Sequence, residues 1–269
     1  MYKLIACDLD ETLIRLDRII SERDREAIAA AKDAGVWFVP ATGRGFESVD
    51  GTLAELGLDE PGQYVISYNG GAITENATHR LLHFQGLDRA LASELWRRGL
   101  TYNVCMHVYT PDMCYAYRYS EDERTYLAGR MAVTETDETS LAFLDGQEIV
   151  KVLYQSTDMP YLRSIADELT DVTGDIDVSY SSGRYLEFNA RGVNKGAGLL
   201  RLARELGVDP ADTIAIGDNW NDWPMIRDAG LGACVANAVE DIKPQCDYVC
   251  EATCDQNAVA EVIERFMLR

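Results

Sequence analysis

The segment from residue 2 to residue 12, YKLIACDLDET, decides the fold of this chain. It begins with the short apolar run of residues 2–7 and ends in an acidic pair, Asp8 and Asp10. This pattern is typical of a strand buried inside a parallel sheet, because both faces of such a strand are covered and polar residues follow at its carboxyl end. We therefore predict a strand over residues 2–7 that delivers Asp8 to one edge of a sheet.

Strand and helix patterns alternate in the first part of the chain and again in its last part. Ser21 is a suitable N-cap for a first helix, and Gly35 is a suitable stop. Alternation of this kind predicts an α/β fold, a Rossmann-like doubly wound parallel sheet. The further strands are expected at 36–41, 64–67 and 213–216, and the further helices at 46–56, 195–206, 222–228 and 258–267.

The middle of the chain has a different order of predicted strands and helices. Between residues 84 and 186, several strand-like segments are interleaved with two helical ones. We therefore predict an α+β domain over 84–186, inserted into a core made of 1–83 and 187–269. The strand-like segments are 104–109, 114–119 and 148–155, and the helical ones lie near 87–98 and 159–170.

Composition excludes several classes of partner. The 269 residues include 25 Lys and Arg against 45 Asp and Glu, a net charge of −20. A field of this sign repels nucleic acid and anionic membranes, so we expect neither as a partner. The start of the chain lacks the basic and apolar regions of a signal peptide, and no apolar run reaches a membrane span. Seven scattered cysteines fit a reduced, cytoplasmic protein.

The acidic pair after the first strand is the first sign of chemistry. Two carboxylates at the carboxyl end of a buried strand are costly to desolvate unless a cation neutralises their charge. A bound Mg2+ is one such cation, since it prefers carboxylate oxygen ligands. Taken alone, Asp8 and Asp10 are equally compatible with an acidic turn.

Three further motifs converge on the same sheet edge. Thr42-Gly43-Arg44 ends the second strand, and Gly217-Asp218 ends a later one. The carboxyl ends of parallel strands share one edge, which brings these residues towards Asp8. Lys195 lies at the start of a helix, where the helix dipole favours an anionic partner. A hydroxyl, backbone N–H groups and a cation suit phosphate oxygens.

Together, and in this order, the four motifs resemble those of the haloacid dehalogenase-like (HAD) hydrolases, and among them the Cof-type (IIB) phosphatases. The resemblance covers essentially the whole chain. It implies a Rossmann-like catalytic core and a C2B-type cap over 84–186 that sets substrate specificity. It also implies hydrolysis of a small phosphorylated metabolite, a sugar or cofactor phosphate. The motifs are DLDET at 8–12, TGR at 42–44, GVNKG at 192–196 and IGDNWND at 216–222.

The resemblance also implies roles for individual residues. Asp8 is expected to be the nucleophile that becomes an aspartyl phosphate, and Asp10 the general acid and base. The expected Mg2+ ligands are Asp8, the main-chain carbonyl of Asp10 and Asp218, with Asp222 in support. Arg44 is a candidate substrate contact. The expected phosphate-binding residues are Leu9, Thr42, Gly43, Lys195 and Asn221.

Some alternatives stay open at this point. A sugar phosphomutase-type phosphotransferase uses the same aspartates, and a non-catalytic phospho-sensor is a remote third reading. Glu11 departs from the family pattern, in which glycine is frequent, and the loop 251–257 lacks the usual acidic-glycine run. The evenly spaced Cys246, Cys250 and Cys254 are not read as a metal site. We expect a monomer or a weak homodimer.

Overall fold

The structure, a computed structural model, describes residues 2–267. Within these residues, no helix is both long and apolar enough to cross a membrane. The strands are β1 (Leu4–Cys7), β2 (Trp37–Pro40), β3 (Tyr64–Ser67), β4 (Ala72–Glu75), β5 (Arg80–Phe84), β6 (Cys105–Tyr109), β7 (Cys114–Tyr117), β8 (Thr134–Thr136), β9 (Lys151–Gln155), β10 (Ile176–Ser181), β11 (Tyr185–Ala190), β12 (Thr213–Gly217), β13 (Leu231–Cys234) and β14 (Tyr248–Val249). The α-helices are α1 (Glu22–Asp33), α2 (Asp50–Glu55), α3 (Arg89–Gly99), α4 (Glu121–Leu127), α5 (Met159–Glu168), α6 (Thr170–Thr173), α7 (Lys195–Glu205), α8 (Trp223–Asp228) and α9 (Ala258–Phe266).

The chain divides into two compact units. The first comprises the residues up to Phe84 together with those from Asn194 onward, and the second spans Gln85–Val193. The expected boundary at 186/187 falls inside β11. This strand pairs with both β9 and β10, so it belongs to the sheet of the second unit. The boundary therefore lies seven residues later than the sequence indicated.

The first unit is built on a five-stranded parallel sheet. Its strand order is β14-β13-β12-β1-β2, and Leu4 of β1 lies beside Thr213 on one side and Trp37 on the other. All four residues of β1 are fully buried, as an apolar run in a central parallel strand should be. The α/β prediction is confirmed. Because β1, β2 and β12 run in the same direction, their carboxyl ends share one edge.

Two predicted elements of the first unit differ in the structure. The strand at 64–67 forms, but it pairs antiparallel with β4 in a separate three-stranded sheet, and the bridge Ala41–Ile66 joins it to β2. Thr42 N donates to Ile66 O as the chain turns away, so the parallel ladder does not continue. The helix predicted over 46–56 is a 3-10 turn at Phe46–Ser48 followed by α2. Ser48 donates its hydroxyl to the Gly45 carbonyl, which favours a turn over a helix.

The predicted N-cap of the first helix forms, and it has an additional role. Ser21 accepts the N–H of Asp24 at 3.0 Å and donates its hydroxyl to the Asp24 carboxylate at 2.8 Å. The other carboxylate oxygen of Asp24 accepts the N–H of Ala260, in the first turn of α9, at 2.8 Å. Burial raises the pKa of Asp24. One buried side chain thus joins the first helix of the unit to its last.

The second unit is a six-stranded sheet with α3 and α5 on one face, while Glu123 of α4 lies beside His107 on the other. The strand order is β10-β11-β9-β6-β7-β8, antiparallel throughout except for the pair β7 and β8. Apolar side chains alternate along β6, β9 and β11 and pack with Trp96 of α3. The alternate positions carry His107, Lys151 and Glu187, which are also buried. This unit therefore has an apolar face and a buried polar face.

Candidate active site

Asp8 is held at the end of β1 by the main chain around it. Its N–H donates to Ile216 O of β12 at 2.9 Å. The carbonyl of the next residue, Leu9, then accepts the N–H groups of Thr12, Leu13 and Ile14, which turns the chain sharply. Asp8 is consequently fixed in a buried position at the shared sheet edge.

The loop after β12 is organised by Asp222. One oxygen of its carboxylate accepts the N–H groups of Asp218 at 2.9 Å and Asn219 at 3.0 Å. A Cβ at Gly217 would lie 2.4 Å from Asp222 Cβ, so this close approach needs glycine. Asp218 itself accepts the hydroxyl of Thr12 at 3.1 Å, a contact that the sequence reasoning missed. Asp222 therefore positions the loop that carries Asp218.

Lys195 joins the two acidic segments. Its ammonium group is fully buried and donates to Asp8 Oδ1 and Asp222 Oδ1, each at 2.5 Å. The helix begins at Lys195 because Asn194 caps it, accepting the N–H of Ala197 at 2.9 Å. Burial alone would lower the pKa of Lys195, but the carboxylates of Asp222 and Asp8 raise it. Lys195 thus stays charged in the interior.

The buried carboxylates form a group that could hold a metal ion. Asp8, Asp218 and Asp222 each place one oxygen within 4.8 Å of the others. Burial raises the pKa of Asp8, and burial together with the charges of Asp222 and Asp8 raises the pKa of Asp218. Three ionised carboxylates and Lys195 leave two net negative charges, which a divalent cation would neutralise. An all-oxygen donor set fits Mg2+.

The end of β2 supplies the second group of predicted residues. Thr42 is buried, and its hydroxyl oxygen accepts the N–H of Arg44 at 3.1 Å. The guanidinium of Arg44 donates through both Nε, at 2.8 Å, and Nη2 to the two carboxylate oxygens of Asp10. This bidentate pair orients both side chains. The structure therefore gives Arg44, expected as a substrate contact, a partner within the protein.

A turn after β3 completes the site, and the sequence reasoning assigned no role to it. The amide of Asn221 donates to Asn69 Oδ1 at 3.4 Å. The N–H of Asn69 donates to Thr42 O at 2.9 Å. The only sequence signal was the pattern Asn69-Gly70-Gly71, which indicates a turn but not its neighbours.

Comparison with known proteins identifies the family of this chain. The family model described as haloacid dehalogenase-like hydrolase matches residues 5–263. The chain belongs to this family. Among its relatives is the HMP-PP phosphatase of Yersinia pseudotuberculosis, 28% identical, with 99% of this chain and 96% of that protein covered. The HAD hydrolase is thus an enzyme, a phosphatase. Its fold resembles that of a solved HAD subclass IIB sugar phosphatase, with a TM-score of 0.86, 19% identity, and 99% of this chain and 100% of that chain covered.

Two further similarities extend over almost the entire HAD hydrolase. The Bacillus subtilis protein YxeH is 30% identical over 279 residues, covering 100% of this chain and 99% of that protein. A solved structure of a haloacid dehalogenase-like hydrolase from Bacteroides thetaiotaomicron has 30% identity and a TM-score of 0.84, with 99% and 100% covered. The similarity therefore includes both compact units.

Proposed function

We propose that this HAD hydrolase is a Mg2+-dependent phosphomonoesterase that works through an aspartyl phosphate on Asp8. The observation that carries the proposal is the buried contact of Lys195 with both Asp8 and Asp222, beside Asp218. A phosphoryl dianion needs concentrated positive charge, and a chain of net charge −20 must supply it locally. The substrate class we propose is a sugar phosphate or a cofactor phosphate.

The metal would be held by Asp8, Asp218 and the main-chain carbonyl of Asp10, while Asp222 holds the loop of Asp218 in place. When bound, Mg2+ supplies charge neutralisation for the nucleophile and the phosphoryl group. This is a role that Lys195 alone cannot fill, because its single charge is already shared between two carboxylates.

The first half of the reaction transfers the phosphoryl group to the enzyme. Thr42, Gly43, Lys195 and Asn221, with the main chain at Leu9, bind its oxygens. A carboxylate oxygen of Asp8 forms a bond to phosphorus as the ester P–O bond breaks. Asp10 donates a proton to the leaving oxygen, so the alcohol departs neutral.

The second half returns Asp8 to its starting state. Asp10, now a carboxylate, takes a proton from a water molecule as that water attacks phosphorus. The bond between phosphorus and Asp8 breaks, inorganic phosphate leaves, and both aspartates recover their original protonation. Both carboxylate oxygens of Asp10 accept from Arg44 in this structure, so Asp10 must release at least one of these contacts before it can act as the proton donor.

A purified-protein assay tests the proposal. Hydrolysis of a panel of phosphorylated metabolites is measured with Mg2+ and with excess EDTA, and kcat/KM values identify the substrate. Asp8→Asn is the matched control. We expect Mg2+-dependent turnover in the wild type and none in the variant, and full activity in EDTA would contradict the proposal. Transfer of phosphate to a second sugar hydroxyl, with little free phosphate, would instead favour the phosphomutase alternative.

We also propose that the second unit, Gln85–Val193, is the substrate-specificity cap, and that the enzyme acts in the cytoplasm as a monomer or a weak homodimer. The seven cysteines, all present as free thiols, support a reducing compartment. Fractionation of cells and light scattering of the purified protein test these two points.

A further inference from the structure

The turn between β3 and β4 has an unusual backbone. Tyr68, Asn69 and Gly70 have φ values of 52°, 55° and 95°, all in the left-handed region. Glycine and asparagine adopt this conformation readily, whereas tyrosine does not. Successive left-handed residues persist only where the surroundings hold them in place. The contacts on both sides of this turn provide that support.

One side of the turn is hydrogen-bonded to the loop that follows β2. Asn69 N donates to Thr42 O at 2.9 Å, and Tyr68 N donates to Arg44 O at 3.0 Å. The two hydrogen bonds lie on either side of Gly43. The backbone of the turn thus sets the position of the peptide groups proposed to bind phosphoryl oxygens.

The other side of the turn lies against the start of α7. A Cβ at Gly70 would be 2.3 Å from the carbonyl oxygen of Asn194, the N-cap of the helix that begins with Lys195. A Cβ at Gly198, one turn into that helix, would lie 3.1 Å from Gly70 Cα. Because Gly70 and Gly198 have no side chains, the turn and the helix can approach this closely. The contact fixes the end of the helix that carries Lys195.

The side chain of Asn69 lies between two phosphate-binding candidates. It is 2% exposed, and its Oδ1 accepts the amide of Asn221 at 3.4 Å. The same oxygen lies 3.2 Å from where a Cβ on Gly43 would be. We propose that Asn69 is a positioning residue of the phosphate site. Its side-chain amide holds Asn221 and the Gly43 peptide group in fixed positions relative to each other. This inference rests on the proposed function of the site.

Asn69→Gly is the decisive variant, because glycine keeps the left-handed backbone and removes only the amide. Asn257→Gly is the matched control, since Asn257 has a similar backbone, with φ 69° and ψ 48°, at the start of α9. Binding of inorganic phosphate in the presence of Mg2+ is measured by calorimetry, and folding by thermal melting. We expect the Kd for phosphate to rise at least about tenfold in Asn69→Gly, equivalent to about 1.4 kcal/mol. The control should bind as the wild type does.

A double-mutant cycle separates positioning from a general structural effect. In an Asn221→Ala background, Asn69→Gly should weaken phosphate binding much less than it does in the wild type. The hydrogen bond through which Asn69 is proposed to act is already absent in that background. Equal losses in both backgrounds, or an unchanged Kd in Asn69→Gly, would overturn the proposal. Asn69→Ser, too short to reach Asn221, is measured alongside and should lose affinity similarly, so the test survives a folding failure of one variant.

Ester hydrolysis assayed on the same samples distinguishes this inference from the proposed function. If the wild type binds phosphate but hydrolyses no ester, the proposed function fails, while a tenfold loss of binding in Asn69→Gly still supports the role of Asn69. If the wild type binds no phosphate, the role of Asn69 is overturned. If the variant loses turnover but not phosphate affinity, positioning of the phosphate site is likewise overturned.

Discussion

At the scale of single residues, the pair formed by Arg44 and Asp10 separates the two aspartates of the first motif. Asp8 is buried against an ammonium group, whereas Asp10 is partly exposed and meets a bidentate guanidinium. Different surroundings suit different tasks, a nucleophile in one case and a mobile proton carrier in the other. The pair thus gives the two aspartates of this motif different surroundings.

Replacing Asp10 with Asn should separate the two chemical steps. The variant keeps the side-chain size and the main-chain carbonyl but loses both proton transfers, each worth about 10^2 to 10^4 in rate. An alkyl phosphate should then barely react. An aryl phosphate, whose phenolate leaves without a proton, should release one equivalent of phenol per site and stop. Rapid-mixing kinetics measure this burst.

The control is Asp59→Asn, an exposed carboxylate that should not alter turnover. Equal slowing of both substrates without a burst would mean that Asp10 mainly maintains the structure of the site.

At the scale of secondary-structure elements, the first residue of α7 has a stabilising role as well as the proposed catalytic one. Lys195→Met removes the cation that contacts both Asp8 and Asp222 and leaves two buried like charges. We expect a loss of about 3–5 kcal/mol in the free energy of unfolding near neutral pH. The loss should shrink as the pH falls, because Asp8, whose pKa is raised by burial, takes up a proton and the repulsion disappears.

Chemical denaturation at several pH values checks this prediction. Lys3→Met is the control, since Lys3 forms an exposed surface pair with Asp212 and its loss should change the stability little. A stability of Lys195→Met equal to that of the wild type at neutral pH would show that the ion pairs do not stabilise the fold.

Strand β6 should make the second unit sensitive to acid. Burial, together with the charges of Lys151 and Arg184, lowers the pKa of His107 to about 3. Glu123 lies 3.6 Å away but is itself held by Arg184 and Tyr185. The unfolded chain binds this proton near pH 6.5, so stability is complete above that pH and is lost as the pH falls. At pH 4.5 the expected loss is about 3 kcal/mol.

Unfolding measured between pH 7 and pH 4 tests the assignment to His107. His107→Phe should flatten the pH dependence over this range. Tyr119→Phe changes a ring that contacts the imidazole edge-on and should keep the wild-type slope. An unchanged slope in His107→Phe would assign the acid sensitivity to other groups.

The elements also show how far the sequence could be interpreted. The ends of β1, β2 and β12 were predictable, because apolar runs in parallel strands stop at polar residues. The role of Asn69 was not, since it depends on three loops that meet only in the folded chain. The second boundary was missed because Glu187 and Asn189 do not look like buried strand residues, although a buried ion pair with Lys151 accommodates Glu187.

At the scale of the whole molecule, the proposed division between a catalytic unit and a specificity unit can be tested by deletion. A chain in which Phe84 is joined to Asn194 by a short Gly-Ser linker retains every residue to which we assign a catalytic role. We expect it to fold, to gain thermal stability from Mg2+, and to hydrolyse a small aryl phosphate. Its kcat/KM values should differ little between metabolites, because the groups that choose among them are gone.

The same deletion carrying Asp8→Asn is the matched control and should be inactive. A deleted chain that folds and binds Mg2+ but attacks no aryl phosphate would contradict this division of labour.

The pairing of β1 with β12 has a consequence for the order of folding during synthesis. Leu4 lies beside Thr213, which follows it by 209 residues, so β1, which can pair with β2 early, lacks its other neighbour for about 10–40 s at ribosomal speeds. The contiguous stretch Gln85–Val193 emerges completely within that interval and can fold first. Asp24 waits longer still, until α9 supplies the N–H of Ala260. A chain truncated just before residue 213 and released from the ribosome should therefore carry one protease-resistant region between two sensitive flanks.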